Sequence, residues 1–184
     1  MRSFPVTRES HHTLTKGNSE YRIANVQPFG PIPKRLTLFL LDEDSHNGSF
    51  TNRYVYKPFN LSQLQVYTNG VPSYLNNRLQ SLDLSKITNK DVHFFYQKFL
   101  DCYPDSAKSI SLLQFFHQFF LFTIDLAPVD FTANKDAMSL ISTGSIDISL
   151  KFHPTNTKNL VVYVHSLHHT TITFSATGEI ISNN

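Results

Sequence analysis

Tryptophan is missing from this chain, cysteine occurs once and glycine only six times. Each scarcity removes a class of function. The single cysteine, Cys102, rules out an intrachain disulfide framework and fits a reducing compartment. The scattered glycines leave no glycine-rich loop to cradle phosphates. Charge is also sparse. Only 16% of the 184 residues are charged, the net charge is +2, and Lys and Arg form no basic stripe. Specific nucleic-acid binding is therefore not expected. No apolar run is long enough to span a bilayer, so residues 36–41 read as a buried strand and no membrane association is expected. The opening MRSFPVTRESHH has no apolar signal core, which predicts an intracellular protein, not a secreted one.

What the chain does contain is aromatic. Sixteen Phe and eight Tyr, with 40% hydrophobic residues overall, describe one globular domain whose composition favours strands. Ile146, Ile148, Leu150 and Phe152 alternate with Asp147, Ser149 and Lys151, and Phe120, Phe122, Ile124 and Leu126 repeat the pattern. LVVYVHSL from Leu160 is apolar on both faces, as a central strand would be. Eight strands are predicted, at about 4–14, 19–26, 34–42, 61–69, 118–127, 144–153, 159–167 and 170–175. Asn69-Gly70 is a strong turn signal, HPTNTKN reads as a polar hairpin loop, and residues 166–169 read as a short linker. Residues 91–117 break the period. Val92, Phe95, Tyr96, Phe99 and Leu100 share one helical face, Asp91 suits a first turn, Pro104 follows the end, and Ser109 or Ser111 would cap a second short helix. The expected fold is all-β: an eight-stranded antiparallel jelly-roll sandwich with a short helical excursion between strands four and five.

Reactive chemistry is hard to find. His11-His12 and the group His165, His168 and His169 lack a carboxylate or thiol nearby, and a turn through 166–169 would scatter the second group. They read as polar residues at a sandwich rim. The cupin double-histidine-plus-glutamate signature is missing. Cys102 has no activating partner in sequence and reads as a small core residue. Asp125 and Asp130 bracket LAPV. Asp125 lies on the face opposite Phe122 and Ile124, where bonding to loop amides would terminate a strand. Asn47-Gly48-Ser49 and Asn60-Leu61-Ser62 match the glycosylation triplet, a pattern common by chance. No catalytic residue, cofactor or metal site is expected, and the chain does not read as an enzyme.

The order of parts carries more than any one of them. GPIPKRL leads into an apolar strand ending in Asp. Then come NGS, PFNL, a strand ending in YTNG, the helical excursion, DLAP, and GSIDISLKF…LVVYVHS before TITF. In this order the chain resembles the major capsid proteins of Polinton (Maverick) elements and adintoviruses, which are similar to adenovirus hexons. The family's P-K-R-L strand is matched by Pro33, Lys34, Arg35 and Leu36, and its N-G-S turn by Asn47, Gly48 and Ser49. Its N-P-F-N segment is matched by Lys57, Pro58, Phe59 and Asn60, and its D-L-T-P element by Asp125, Leu126, Ala127 and Pro128. Two positions depart from the pattern, Lys57 for Asn and Ala127 for Thr, and YPDSAKSIS replaces a glycine-rich tract.

The resemblance runs from about Phe4 to Ile181 and falls on the second of the family's two jelly rolls, which implies a single jelly-roll domain over residues 1–184 with the N-terminal jelly roll expected to be absent. It implies a structural subunit of a virion or capsid in an infected or element-bearing cell. Its partners would be itself, as a homotrimer, and other capsid proteins. Lys34, Arg35 and the Phe59-Asn60 segment would then contribute to subunit contacts, or else only terminate and orient strands. Two other readings stand beside it. A cellular jelly-roll binding module, lectin- or ligand-like, would show exposed aromatics on a concave sheet face, with Tyr54, Tyr56 and Tyr67 as candidates, or acidic loops suited to Ca²⁺. A domesticated or non-functional remnant of a capsid gene would fold without assembling.

Overall fold

Leu36, Leu38 and Leu40 alternate with Thr37, Phe39 and Leu41, and nearly all of these side chains are buried. A strand buried on both faces must lie inside a sheet with cover on each side. The structure, a computed structural model, describes residues 2–48, 52, 54–73, 75–107, 109–126, 143–174 and 180–182. Along the chain run β1 (Arg2–Leu14), β2 (Glu20–Pro31), β3 (Arg35–Asp42), α1 (Glu43–His46), β4 (Leu61–Thr68), β5 (Val71–Pro72), α2 (Asn76–Leu79), α3 (Lys90–Cys102), α4 (Pro104–Ala107), α5 (Leu112–Gln118), β6 (Phe122–Asp125), β7 (Thr143–Phe152), β8 (Leu160–Phe174) and β9 (Ile180–Ser182).

One sheet has the order β1-β8-β3-β6, with β9 added along β8; the other has the order β2-β7-β4-β5. All pairings between these strands are antiparallel. From β1 to β4, and again from β5 to β8, the chain changes sheet at each connection. That interleaving of two four-strand sets is the jelly roll. The expected sandwich is present, with β9 as a ninth strand among the described residues.

The sheets close on a shared apolar layer. Leu36, Leu38 and Leu40 of β3, Val162 and Val164 of β8, Leu64 and Val66 of β4, and Ile146 and Ile148 of β7 are each at most 1% exposed. Full burial of such a side chain contributes about 1.5–3 kcal/mol. The helical excursion adds an aromatic extension to this core: Phe95 and Phe99 of α3 and Phe115 of α5 pack with Phe120 and Phe122. Ser111 caps α5 in a capping box, its hydroxyl accepting from Gln114 N–H and the Gln114 side chain accepting from Ser111 N–H.

Several sequence expectations need correction. Residues 159–167 and 170–175 are not two strands; β8 runs unbroken from Leu160 to Phe174, and the supposed linker is part of it. Pairing with β1 down to Arg2 holds it extended. HPTNTKN is no hairpin loop, because β7 and β8 lie in different sheets and the loop crosses between them. The strand expected at 118–127 shrinks to Phe122–Asp125, since residues up to Gln118 pack as α5. The excursion falls between the fifth and sixth strands because Val71–Pro72 forms a short strand of its own. Pro104 ends α3 and also opens α4, where a missing N–H costs nothing. Between β3 and Asn47-Gly48 lies the single turn of α1; Asn47 is its C-cap and Gly48 takes φ +86°.

The β4–β5 hairpin turns on Asn69 (φ +51°) and Gly70 (φ +77°), two positive φ values as a two-residue hairpin requires. Asn69 does a second job. Its Oδ1 accepts from Ser145 N–H (2.9 Å) and its Nδ2 donates to Thr143 C=O (3.4 Å), clamping the start of β7. Gly144 makes room for it: a Cβ there would lie 2.0 Å from Oδ1. Gly144→Ala should therefore displace the Asn69 side chain and cost about 1–2 kcal/mol. In urea melts the loss should be strongly sub-additive with Asn69→Ala, because both remove the same clamp. Full additivity would refute the account.

Candidate functional site

The positions singled out in sequence separate to two ends of the sandwich. Pro33, Lys34, Arg35 and Asp125 gather where β3 begins and β6 ends. Asn47, Gly48, Phe59 and Asn60 lie at the opposite end, near the start of β4 and the end of β7. The seven residue steps of β3 put about 23 Å between the two groups. Pro128 and Asp130 fall outside the described residues.

At the first end the register sets Arg35 directly across from Asp125. Arg35 Nε donates to Asp125 Oδ1 at 2.8 Å, and Lys98 Nζ, from α3, donates to Oδ2 at 3.0 Å. The side chains of Arg35 and Asp125 are 13% and 7% exposed. Burial opposes the guanidinium charge, but the Asp125 hydrogen bond and field outweigh it and leave the Arg35 pKa raised. Asp125 thus bonds cationic side chains, not the loop amides expected from sequence. Nearby, Thr37 Oγ1 and Tyr103 Oη lie 3.3 Å apart. Cys102 is half-buried beside this group, and burial pushes its thiol up to about 11, so it stays protonated and unreactive at neutral pH. The arrangement bolts α3 to the sheet margin; it offers no exposed acid or base. Lys34 is half-buried, with burial lowering its pKa, and Pro33 is buried.

At the second end Asn47, Gly48 and Asn60 are exposed, while Phe59 takes φ +48° and packs against the core. These are turn-forming positions with free polar surface. Lys158 pairs with Asp42 (2.8 Å) beside them, and Asn159 Nδ2 donates to Glu43 (2.7 Å).

A third surface was not picked out from sequence. His11, Tyr163 and Phe39 are successive cross-strand partners on the outer face of the first sheet. Phe39 and Tyr163 stack with centroids 4.9 Å apart and planes within 5°, and Tyr56 packs against Phe39 at 4.5 Å. His46 Nδ1 and Tyr163 Oη are 2.6 Å apart, and His165 Nε2 lies 3.3 Å from Glu9. Together with Leu41 and Tyr54, these residues, apart from His11, line an open groove of about 440 Å³. Tyr54 projects over it, 68% exposed. Its size and lining suit a ring-bearing or extended apolar ligand with a few polar contacts. Two of the three tyrosines considered as binding-module candidates, Tyr54 and Tyr56, belong to it; Tyr67 lies on the other sheet. The cross-strand row was hidden in sequence because β3 and β8 look apolar on both faces, and only register aligns it.

His11 comes beside His46, with ring centroids 5.4 Å apart, but the neighbouring histidines of the sequence are split. Strand alternation sends His165 outward and His168 into the interior, and separates His11 from His12 in the same way. Among the described residues no three His, Cys, Asp or Glu side chains come together as metal ligands. None of the described helices is long and apolar enough to cross a membrane.

No family model matches the chain, and no curated protein matches its sequence. The fold does have a counterpart among solved structures. A chain in the 3.5 Å cryo-electron-microscopy structure of the Sputnik virophage superposes with a TM-score of 0.51, over 98% of this chain, at 14% identity. The shared fold is a jelly roll. The match takes in only 38% of the virophage chain, so this chain spans well under half of its counterpart's length. At this identity the likeness is one of architecture, shared with one part of the longer virophage chain.

Proposed function

We propose that this chain is a structural subunit of a virus-like capsid. The observation that carries the reading is the near-complete superposition on part of a longer virophage chain. The ordered resemblance to Polinton and adintovirus capsid proteins supports the finer assignment. On that assignment the chain is the second jelly roll of a two-jelly-roll block, assembling as a homotrimer with other capsid proteins in a virion. The geometry suits such work: a rigid sandwich, a helical excursion fixed to its side, and ionic groups used for bracing. Pro33, Lys34, Arg35 and Asp125 would shape one end of the block, and Asn47, Gly48, Phe59 and Asn60 would present turns for neighbouring subunits at the other. The test is mass photometry and negative-stain microscopy of the chain alone and with a supplied first jelly roll. Trimers or larger rings are expected. A strict monomer at high concentration that also ignores the first jelly roll would overturn the reading.

The outer groove favours a second reading, a ligand-binding module. Its test is nuclear magnetic resonance titration of the Tyr54 and Tyr56 ring signals with a saccharide panel. Shifts confined to the groove residues would support it, and no shifts at all would eliminate saccharides as its ligands.

A further inference from the structure

β1 stands at the margin of its sheet. One of its edges pairs with β8 over 13 residues, and among the described residues no strand takes the other. The open edge's backbone groups follow from β8. At the end of the β3–β8 ladder, Asn159 C=O accepts in register from Glu43 N–H at 3.2 Å, so the odd-numbered residues of β8 face β3. The even-numbered ones face β1, and Ser166 Oγ accordingly reaches Arg8 C=O at 3.3 Å. Arg8 lies opposite Ser166, so the even-numbered residues of β1 bond to β8. Thr7, Glu9, His11 and Thr13 therefore turn both N–H and C=O outward. Pro5 has no N–H to offer and ends this free stretch.

We propose that this edge pairs with the same edge of a second copy of the chain, antiparallel about a two-fold axis at Ser10. In an antiparallel pair, outward-facing residues must oppose outward-facing residues. Centring on Glu9 would oppose two carboxylates, and centring on His11 would oppose two imidazoles. Centring on Ser10 sets Glu9 against His11 of the second copy, and Thr7 against Thr13, each twice. Donor–acceptor and threonine pairs are favourable cross-strand combinations, and like charges are not. All four side chains are exposed. The His11 ring can donate to the carboxylate whether neutral or protonated. On the other face Arg8 meets His12 of the second copy. Burial and the neighbouring His11 hold the His12 pKa below its ordinary value, so no second positive charge opposes Arg8. The interface is isologous and closes at two copies. It does not rest on the capsid reading.

The test is sedimentation equilibrium of the 184-residue chain at about 0.1–1 mM, a range that captures weak interfaces. Wild type should show a dimerising contact. Glu9→Lys should weaken it about tenfold or more, because in both symmetry-related pairs the carboxylate that accepts from His11 is replaced by a cation with no acceptor. Glu9→Lys/His11→Glu should restore it. In a Cys102→Ser background, Ser10→Cys should cross-link on oxidation, since directly opposed residues of this kind sit about 4.5 Å apart at Cα. Arg8→Cys should not, because the two copies of that residue would lie about 14 Å apart. Three outcomes would each overturn the proposal: an association state unchanged by Glu9→Lys, a double swap that fails to recover, or equal cross-linking of Arg8→Cys.

Discussion

Asp125→Ala should cost about 3–5 kcal/mol, because it strips the counter-charge from two partly buried cations at once. Arg35 and Lys98 hold separate oxygens of that carboxylate at 2.8 and 3.0 Å, with side chains 13% and 21% exposed. Without it, each keeps its desolvation penalty and gains the other as a close like charge. For a domain of this size the loss corresponds to a fall in Tm of about 6–20 °C. The damage should also be local. Lys98 ties α3 to the sheet, so amide exchange in the last turns of α3 should accelerate more than in β3. Arg35→Met should cost far less in the Asp125→Ala background than in the wild type, the signature of a shared network. Converting all three residues to apolar side chains should recover most of the stability, since the group braces at the expense of desolvation. A loss below about 1 kcal/mol would show the ions to be solvated and the bolt unimportant.

Phe95→Ala tests whether the helical excursion belongs to the core. Phe95 is fully buried and meets Phe122 edge-on at 5.1 Å, Phe120 at 6.0 Å and Phe94 at 5.2 Å. Truncation removes a large transfer term and leaves a cavity walled by stiff rings and strands that cannot collapse into it. The expected cost is about 3–5 kcal/mol, against about 1.5 kcal/mol for Phe95→Leu, which keeps most of the volume. Urea unfolding should remain a single transition with its midpoint lowered by about 1–2 M. A separate early transition in the variant would mean that α3 and α5 fold apart from the sandwich. Both substitutions lie away from the β1 edge and the groove, so folded variants should keep the association behaviour of the wild type.

Local signals in the sequence were read correctly where the physics is local. The Asn69-Gly70 hairpin follows from the tolerance of those two residues for positive φ. The face of α3 follows from apolar spacing, and the start of α5 from the Ser111 hydroxyl three residues ahead of Gln114. Alternation located β7 to within a residue at each end. Where two local patterns overlapped, the sequence could not arbitrate. Leu112, Phe115 and Phe116 suit a helix, but the run through Phe122 also alternates, and packing against α3 ended the helix at Gln118. Ser166 and His168 looked like a break in an apolar strand. Both are buried in β8, held there by the full register with β1 and by a hydrogen bond between their own side chains.

By itself, the sequence determined an all-β sandwich, the positions of its main turns and the helical face that would be buried, because each depends on neighbours within a few residues. Tertiary structure alone decided which strands share a sheet, and with that everything at the surface. It brought Asp125 to Arg35, 90 positions away, and to Lys98, 27 positions away. It aligned His11, Tyr163 and Phe39 into one row, and it left β1 with an unpaired edge. Strand alternation says that a residue has an inside and an outside. Only cross-strand register, set by contacts distant in the chain, says what lies beside it.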